Sequence, residues 1–266
     1  MLTQTPALIS GRCRKNHHPE FPGKEYLISS ALTPPATITF DCYGTLLDTS
    51  PFHELLAKTA VKAGIQPDLA VEAFTTWEDR LMYGDPYQDY DRLLQEVLGW
   101  CDRQLNTTVF SPLLEQVLET HRHFRPFPDV IPALRKLKEA GFRICLMSNT
   151  TADLMDSHLQ TLAQLPDAWL TADSTECFKP DLRFFRQAEE TFELCRHPHI
   201  HVAKGYWWDI VPAARLGWNR IWVNRSAEPA PRRQEEPVTV IRDLSTLPAL
   251  LSGTSPDQWV TGTACG

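Results

Sequence analysis

Two aspartates, a lysine and a Ser-Asn pair carry the chemistry this sequence offers: Asp41, Ser148-Asn149, Lys179 and Asp209. The run Thr37-Ile38-Thr39-Phe40 ends abruptly at Asp41 and is followed by Tyr43-Gly44-Thr45, so it reads as a buried strand delivering a carboxylate to a loop. An Asp in that place either caps a turn or sits where open α/β sheets keep their chemistry, at the carboxyl end of a strand. The other positions decide. Ser148-Asn149 follow the strand-like Phe142–Met147, Lys179-Pro180 come after Ala168-Trp169-Leu170, and Asp209 lies just past His199–Ala203. Four polar positions at successive parallel-strand ends surround one crevice and point to a shared active site.

The elements between them must alternate for that to hold, and they do. Helical periods are predicted after Asp129, over Ala152–Ala163, over Asp181 to about Leu194 and over Asp209–Leu216, each lying between strand-like runs, with Arg220–Val223 the last clear strand. Strand and helix in alternation imply an α/β fold with a doubly wound, Rossmann-like parallel sheet. Between Pro51 and Phe127 the period is helical throughout: Phe52/Leu55/Leu56/Thr59, Ala70/Phe74/Trp77/Leu81, Tyr90/Leu93/Leu94/Val97/Cys101 and Leu114/Val117/Leu118/His121 give four amphipathic faces. Residues 51–127 therefore read as an inserted helical bundle, with the core at 37–50 and 128–266. Residues 1–36, rich in Pro, His, Ser and Thr and without period, read as an irregular arm, of which Tyr26-Leu27-Ile28 is the piece suited to packing on the body. The Pro-rich piece Glu228–Pro237 reads as a loop, and a short strand and short helix remain at the end.

Composition narrows the classes. With 266 residues, 42% of them hydrophobic and 22% charged, the chain can bury a full core. Its formal net charge of −7 argues against nucleic acid or an anionic membrane as partner. No apolar run approaches the roughly 20 residues that span a bilayer. The seven cysteines are scattered, never spaced CxxC, and suggest neither a disulfide framework nor a zinc site, so a reducing, cytoplasmic setting is the default. A small-molecule substrate is the expected partner, with a homodimer left open. His53, His121, His123 and His158 lack partners at metal spacing and receive no role; His199 and His201 alternate along a strand and read as structural.

The ordered set DxYGTLLD from Asp41, SN at Ser148-Asn149, KPDxRFF from Lys179 and HVAxxxxxDIVPAARLGWxxxWVNR from His201 resembles the haloacid dehalogenase (HAD) superfamily, specifically its L-2-haloacid dehalogenase-like branch. The resemblance spans about Ile38 to Arg225 and identifies the insertion as a helical cap. It implies Asp41 as nucleophile, able to form an ester with an electrophilic carbon or phosphorus. It implies Lys179 as the charge that keeps Asp41 ionised and oriented, and Thr45 with the amides after Tyr43 as hydrogen-bond donors. Ser148 and Asn149 would bind substrate or leaving group, and Asp209 would orient Lys179 or help place a hydrolytic water.

Tyr43 divides the chemistry. Phosphatases of this superfamily carry a second Asp there and pair acids in the last motif to hold Mg²⁺; here Trp208 precedes a lone Asp209. Neither metal nor cofactor is expected, and the chemistry is expected at carbon. The chain also departs from the dehalogenase pattern: Lys204, Gly205 and Tyr206 replace small hydroxyl and amide residues, and Phe185 replaces a Tyr. Arg80 lies in the segment where the family keeps an arginine for the haloacid's carboxylate and halide, although its neighbours do not match. Trp77, Tyr83 and Tyr87 are candidate lining for a larger aromatic substrate, Trp77 fitting the bundle's apolar core as well. Three functions survive: a metal-independent dehalogenase-like hydrolase working through an Asp41 ester; an isomerase or cyclase of natural-product (secondary) metabolism with protonated Asp41 acting on an epoxide or similar group; and, last, a non-catalytic binding protein.

Overall fold

The structure, a computed structural model, describes residues 32, 34–83, 86–229, 231 and 239–252. The arm up to residue 31, with its Tyr26-Leu27-Ile28 reading, and most of the Pro-rich loop lie outside them.

The first strand, β1 (Thr37–Asp41), is buried along its whole length, as its unbroken β-branched and aromatic run requires of a strand covered on both faces. Gly44, at φ +73, then reverses the chain in a conformation that favours glycine, and Leu46 and Leu47 amides close the turn on the Cys42 carbonyl. The short β2 (Leu47–Asp48) leads into α1 (Ser50–Lys62), α2 (Pro67–Met82), α3 (Tyr90–Leu105) and α4 (Leu114–Arg122), after which β3 (Arg125–Pro126) pairs antiparallel with β2. The chain thus leaves and re-enters the sheet domain through one two-stranded ribbon. The expected faces are the buried ones: Phe52 and Leu56, Ala70 and Phe74, Leu93, Leu94 and Val97, Val117 and Leu118. Each large apolar side chain so buried contributes about 1.5–3 kcal/mol.

From there α5 (Val130–Glu139), β4 (Arg143–Ser148), α6 (Ala152–Thr161), β5 (Ala168–Thr171), α7 (Ala172–Thr175), α8 (Leu182–Thr191), β6 (His199–Ala203), α9 (Val211–Arg215), β7 (Asn219–Val223), β8 (Thr239–Ile241) and α10 (Leu247–Leu251) complete the alternation. The six long-sheet strands run parallel in the order β5-β4-β1-β6-β7-β8. The chain runs outward from β1 through β4 to β5 and then crosses back to β6 on the other side of β1, so the switch point of the sheet lies at the carboxyl ends of β1 and β6, and Asp41 stands there. The α/β, doubly wound reading holds.

Several boundaries differ from expectation. Helix α6 ends at Thr161, β5 runs on to Thr171 and β7 begins at Asn219. Strand β4 begins and ends one residue later than predicted, so Ser148 is its last residue rather than the first of a loop. Helix α8 stops at Thr191, where the expected period runs on to Leu194. Asp209 does not begin a helix: Tyr206–Ile210 form a π-helical turn in which the Asp209 and Ile210 amides both donate to the Gly205 carbonyl, and α9 follows with Pro212 in its first turn. Proline brings no amide to the ladder, and the wider turn ahead of it carries Asp209 inward. Among the described residues no helix is long and apolar enough to cross a membrane.

Candidate active site

Asp41 closes β1 with its carboxylate nearly buried, and both oxygens are held. Lys179 Nζ donates to Oδ1 at 2.8 Å and Thr45 Oγ1 to Oδ2 at 2.6 Å. Thr45 reaches back because the Gly44 turn reverses the chain, and its hydroxyl oxygen in turn accepts from the Lys204 amide at 2.8 Å. Lys179 also donates to Asp209 Oδ1 at 2.6 Å and to the Met147 carbonyl at 2.9 Å, so all three ammonium protons have acceptors in a pocket where the lysine is 1% exposed. The π-turn brings Asp209 to that ammonium from the far side.

Asp41, Thr45, Lys179 and Asp209 are therefore brought together. Tyr43 stands beside them, its hydroxyl donating to Thr150 Oγ1 at 2.7 Å and 3.1 Å from His158 Nε2. Asn149 also lines the cavity over Asp41, and its Nδ2 donates to the Lys179 carbonyl (3.0 Å) while its Oδ1 accepts from the Lys179 amide (2.7 Å). Ser148, inside the strand, is fully buried, and its hydroxyl does not line the cavity over Asp41. Arg80 is not brought there either; it is exposed, its guanidinium 5.0 Å above the Trp77 ring. Trp77 stacks on Trp100 and donates to Gln104, within the bundle. Tyr83 packs on Trp208 and Tyr87 on Phe178.

The cavity above Asp41 measures about 280 Å³ and is roofed by the helical bundle. Several of its residues were given no role from the sequence. Glu78 of α2 faces it, with Oε1 accepting from the Tyr90 hydroxyl at 3.1 Å. Its signal was its place four residues after Phe74, an acid on the buried face of a helix. His121 lines it at the end of the fourth apolar face. Below, His201 Nε2 lies 3.2 Å from Asp209 Oδ1 while Nδ1 is 2.9 Å from Thr39 Oγ1, a bridge between strand and site that alternation alone presents as a core histidine.

Burial pushes the Asp41 carboxyl up, and the Asp209 charge adds to the rise against the pull of Lys179. Asp209, which burial alone would raise, is held below the ordinary range by Lys179 and His201. Lys179 remains a firm cation: burial works against its charge, and the two carboxylates outweigh it. The shorter lysine contact and the histidine both favour Asp209. Asp209 is thus the carboxylate that keeps its charge, and Asp41 the one that takes a proton more readily.

The arrangement can do two things. An ionised Asp41 can attack an electrophile in the cavity, and a protonated one can deliver a proton to it. For the Mg²⁺ that HAD phosphatases use, the donor set fits poorly: a phenol and an indole stand where acids would, and Lys179 bridges the two aspartates. Among the described residues no group of three or more His, Cys, Asp or Glu is placed to hold a metal ion.

The comparisons with known proteins bear on this geometry. A family model of haloacid dehalogenase-like hydrolases matches residues 35–217. (S)-2-haloacid dehalogenase 1 of Pseudomonas sp. (strain CBS-3) is 27% identical over 234 residues, covering 83% of this chain and 98% of the relative. Among solved structures, a dehalogenase superposes with a TM-score of 0.72 at 24% identity, covering 85% of this chain and 99% of its own. The L-2-haloacid dehalogenase from Xanthobacter autotrophicus with chloropropionic acid covalently bound superposes at 0.68 with 20% identity, over 83% and 99%. At these identities the two structures speak for the fold. The family match spans most of the sheet domain and the whole inserted bundle, and on it the chain belongs to the haloacid dehalogenase-like hydrolases.

Proposed function

We propose that the protein is a metal-independent, dehalogenase-like hydrolase that breaks a carbon–halogen bond through an ester of Asp41. The observation that carries this reading is the Asp41 carboxylate at the floor of a cavity beneath the helical bundle, fixed by Lys179 and Thr45, with Tyr43 where a phosphatase would keep its acid. A carboxylate oxygen attacks carbon and the halide leaves with the bonding pair. Water then adds to the ester carbonyl, returning the carboxylate and releasing an alcohol and a proton. Lys179 stabilises charge on Asp41 in both steps, and Asp209 with His201 holds Lys179 in place. The relatives' name, 2-haloacid dehalogenase, makes organohalides with the halogen next to a carboxyl or other carbonyl carbon the substrates to try first.

A second reading rests on the upward push on Asp41, beside an Asp209 that keeps the negative charge. A protonated Asp41 would open an epoxide or similar strained group as a Brønsted acid and yield an isomerised or cyclised product.

A single turnover in ¹⁸O-labelled water separates them. The ester route places the heavy oxygen in Asp41, read by mass spectrometry of its peptide, and an Asp41→Asn variant releases no halide. Label found only in the product would overturn the ester, and an unlabelled product isomeric with its substrate would establish the second reading.

A further inference from the structure

The roof of the Asp41 cavity mixes the apolar Phe52, Met82 and Phe124 with the polar Glu78, Tyr90 and His121. On the floor the Lys179 charge is answered twice, by Asp41 and Asp209. At the rim Lys204 is exposed, and near it burial pushes the Asp79 carboxyl up while the lysine charge offsets part of that rise. Among the described residues no arginine lines the cavity, and α2 turns a carboxyl, Glu78, towards it. His121 lines the same cavity and shares the neighbour Tyr90 with Glu78; it is 4% exposed, with neither ring nitrogen hydrogen-bonded. An imidazole buried that way costs free energy unless a bound group satisfies it. Its ring is fixed by Phe52, Tyr43, Tyr90 and Phe124, so its nitrogens are already oriented. Burial holds His121 neutral, down to about 3, and pushes Glu78 up to about 7, so near neutrality the roof offers hydrogen bonds and no positive charge.

Resting on the carbon–halogen reading of Asp41, we propose that the substrate is uncharged, an organohalide bearing an amide, ester, ketone or hydroxyl group that hydrogen-bonds to Glu78 and His121, and that Glu78 discriminates against halocarboxylate anions. A carboxylate brought beside Glu78 meets a like charge or must itself take up a proton.

The test uses the wild-type protein with two matched pairs. Halide release is measured from 2-chloropropionamide and 2-chloropropionate, and binding of the corresponding products, lactamide and lactate, by calorimetry. The amides are expected to be favoured about tenfold or more in both assays. Glu78→Gln is expected to shift both ratios towards the acids by about tenfold, and His121→Phe, which preserves the ring packing, to weaken lactamide binding by about tenfold. Preference for the acids, equal binding, or binding of neither product overturns the inference. Halide release from neither organohalide, together with selective lactamide binding, would instead overturn the carbon–halogen reading and leave the selectivity standing. The wild-type comparison decides the matter even if a variant fails to fold.

Discussion

Asn149 grips the main chain of Lys179 from both sides, its amide donating to the lysine carbonyl at 3.0 Å and accepting from the lysine amide at 2.7 Å. The side chain suggested by sequence as a substrate contact lines the cavity and is also a brace that sets where the Lys179 stem begins. Removing it should misplace the ammonium relative to Asp41 rather than weaken substrate capture. Asn149→Ala is expected to lower kcat by about 10–100-fold with KM little changed, since misplacements near 1 Å cost that much. A rise in KM at constant kcat would return Asn149 to substrate binding.

The reach of the sequence follows from which interactions are local. Alternation, the inserted bundle and the carboxylate at the end of β1 were legible because each is written in a short period of apolar residues. The convergence of Asp41, Lys179 and Asp209 was legible from their order after successive strands, although α7 stands between β5 and Lys179 and the π-turn sets Asp209 in place. Side-chain direction was not legible. A one-residue shift of β4 puts Ser148 inside the strand, and the twofold grip of Asn149 on Lys179 joins residues 30 apart. Arg80 drew attention because the resembled family keeps an arginine in that segment, yet Glu78, two residues earlier on the helix, faces the cavity. His201 looked structural because its neighbours alternate, and only the π-turn at Tyr206–Ile210 brings Asp209 within 3.2 Å of it.

Behind the Asp41 loop, Arg225 forms a two-toothed pair with Asp129 at 3.0 and 2.9 Å, donates to the Thr45 carbonyl at 2.8 Å and lies over Phe127. Arg225→Met is expected to cost about 2–3 kcal/mol of stability near neutral pH, because both partners are mostly buried. Burial alone would raise Asp129, but Arg225 and the Leu244 amide hold it below the ordinary range. A carboxyl depressed on folding stabilises above its unfolded pKa of about 3.9, and that contribution fades as pH falls through the folded value. Urea unfolding of both proteins should show the gap narrowing below about pH 4. An equal gap there would mean the pair is not its source.

Metal dependence follows from two side chains. The Tyr43 phenol is tied to Thr150 and lies beside His158, and Trp208 packs on Tyr83, so neither position supplies an oxygen ligand next to Asp41. Turnover of any organohalide is expected to survive exhaustive chelation unchanged. Strict dependence on Mg²⁺ would show that water or substrate oxygens complete a site around Asp41 and Asp209.

Gly205 begins the π-turn and is there for space rather than conformation, since its φ of −68 suits any residue. A Cβ on it would lie 2.5 Å from Asp209 Oδ2 and 3.1 Å from Trp208 Cβ, too close for either to stay in place. Gly205→Ala should therefore move Asp209 and, through it, Lys179, lowering kcat by about 100-fold for a stability cost of about 1–3 kcal/mol. Gly64 after α1 is the control, because it has φ +71 and nothing within 4 Å of an added Cβ. There the same substitution costs about 1–2 kcal/mol of backbone strain and should leave turnover unchanged. If Gly205→Ala kept full activity while losing stability as the control does, the close packing on Asp209 would have no part in holding Lys179.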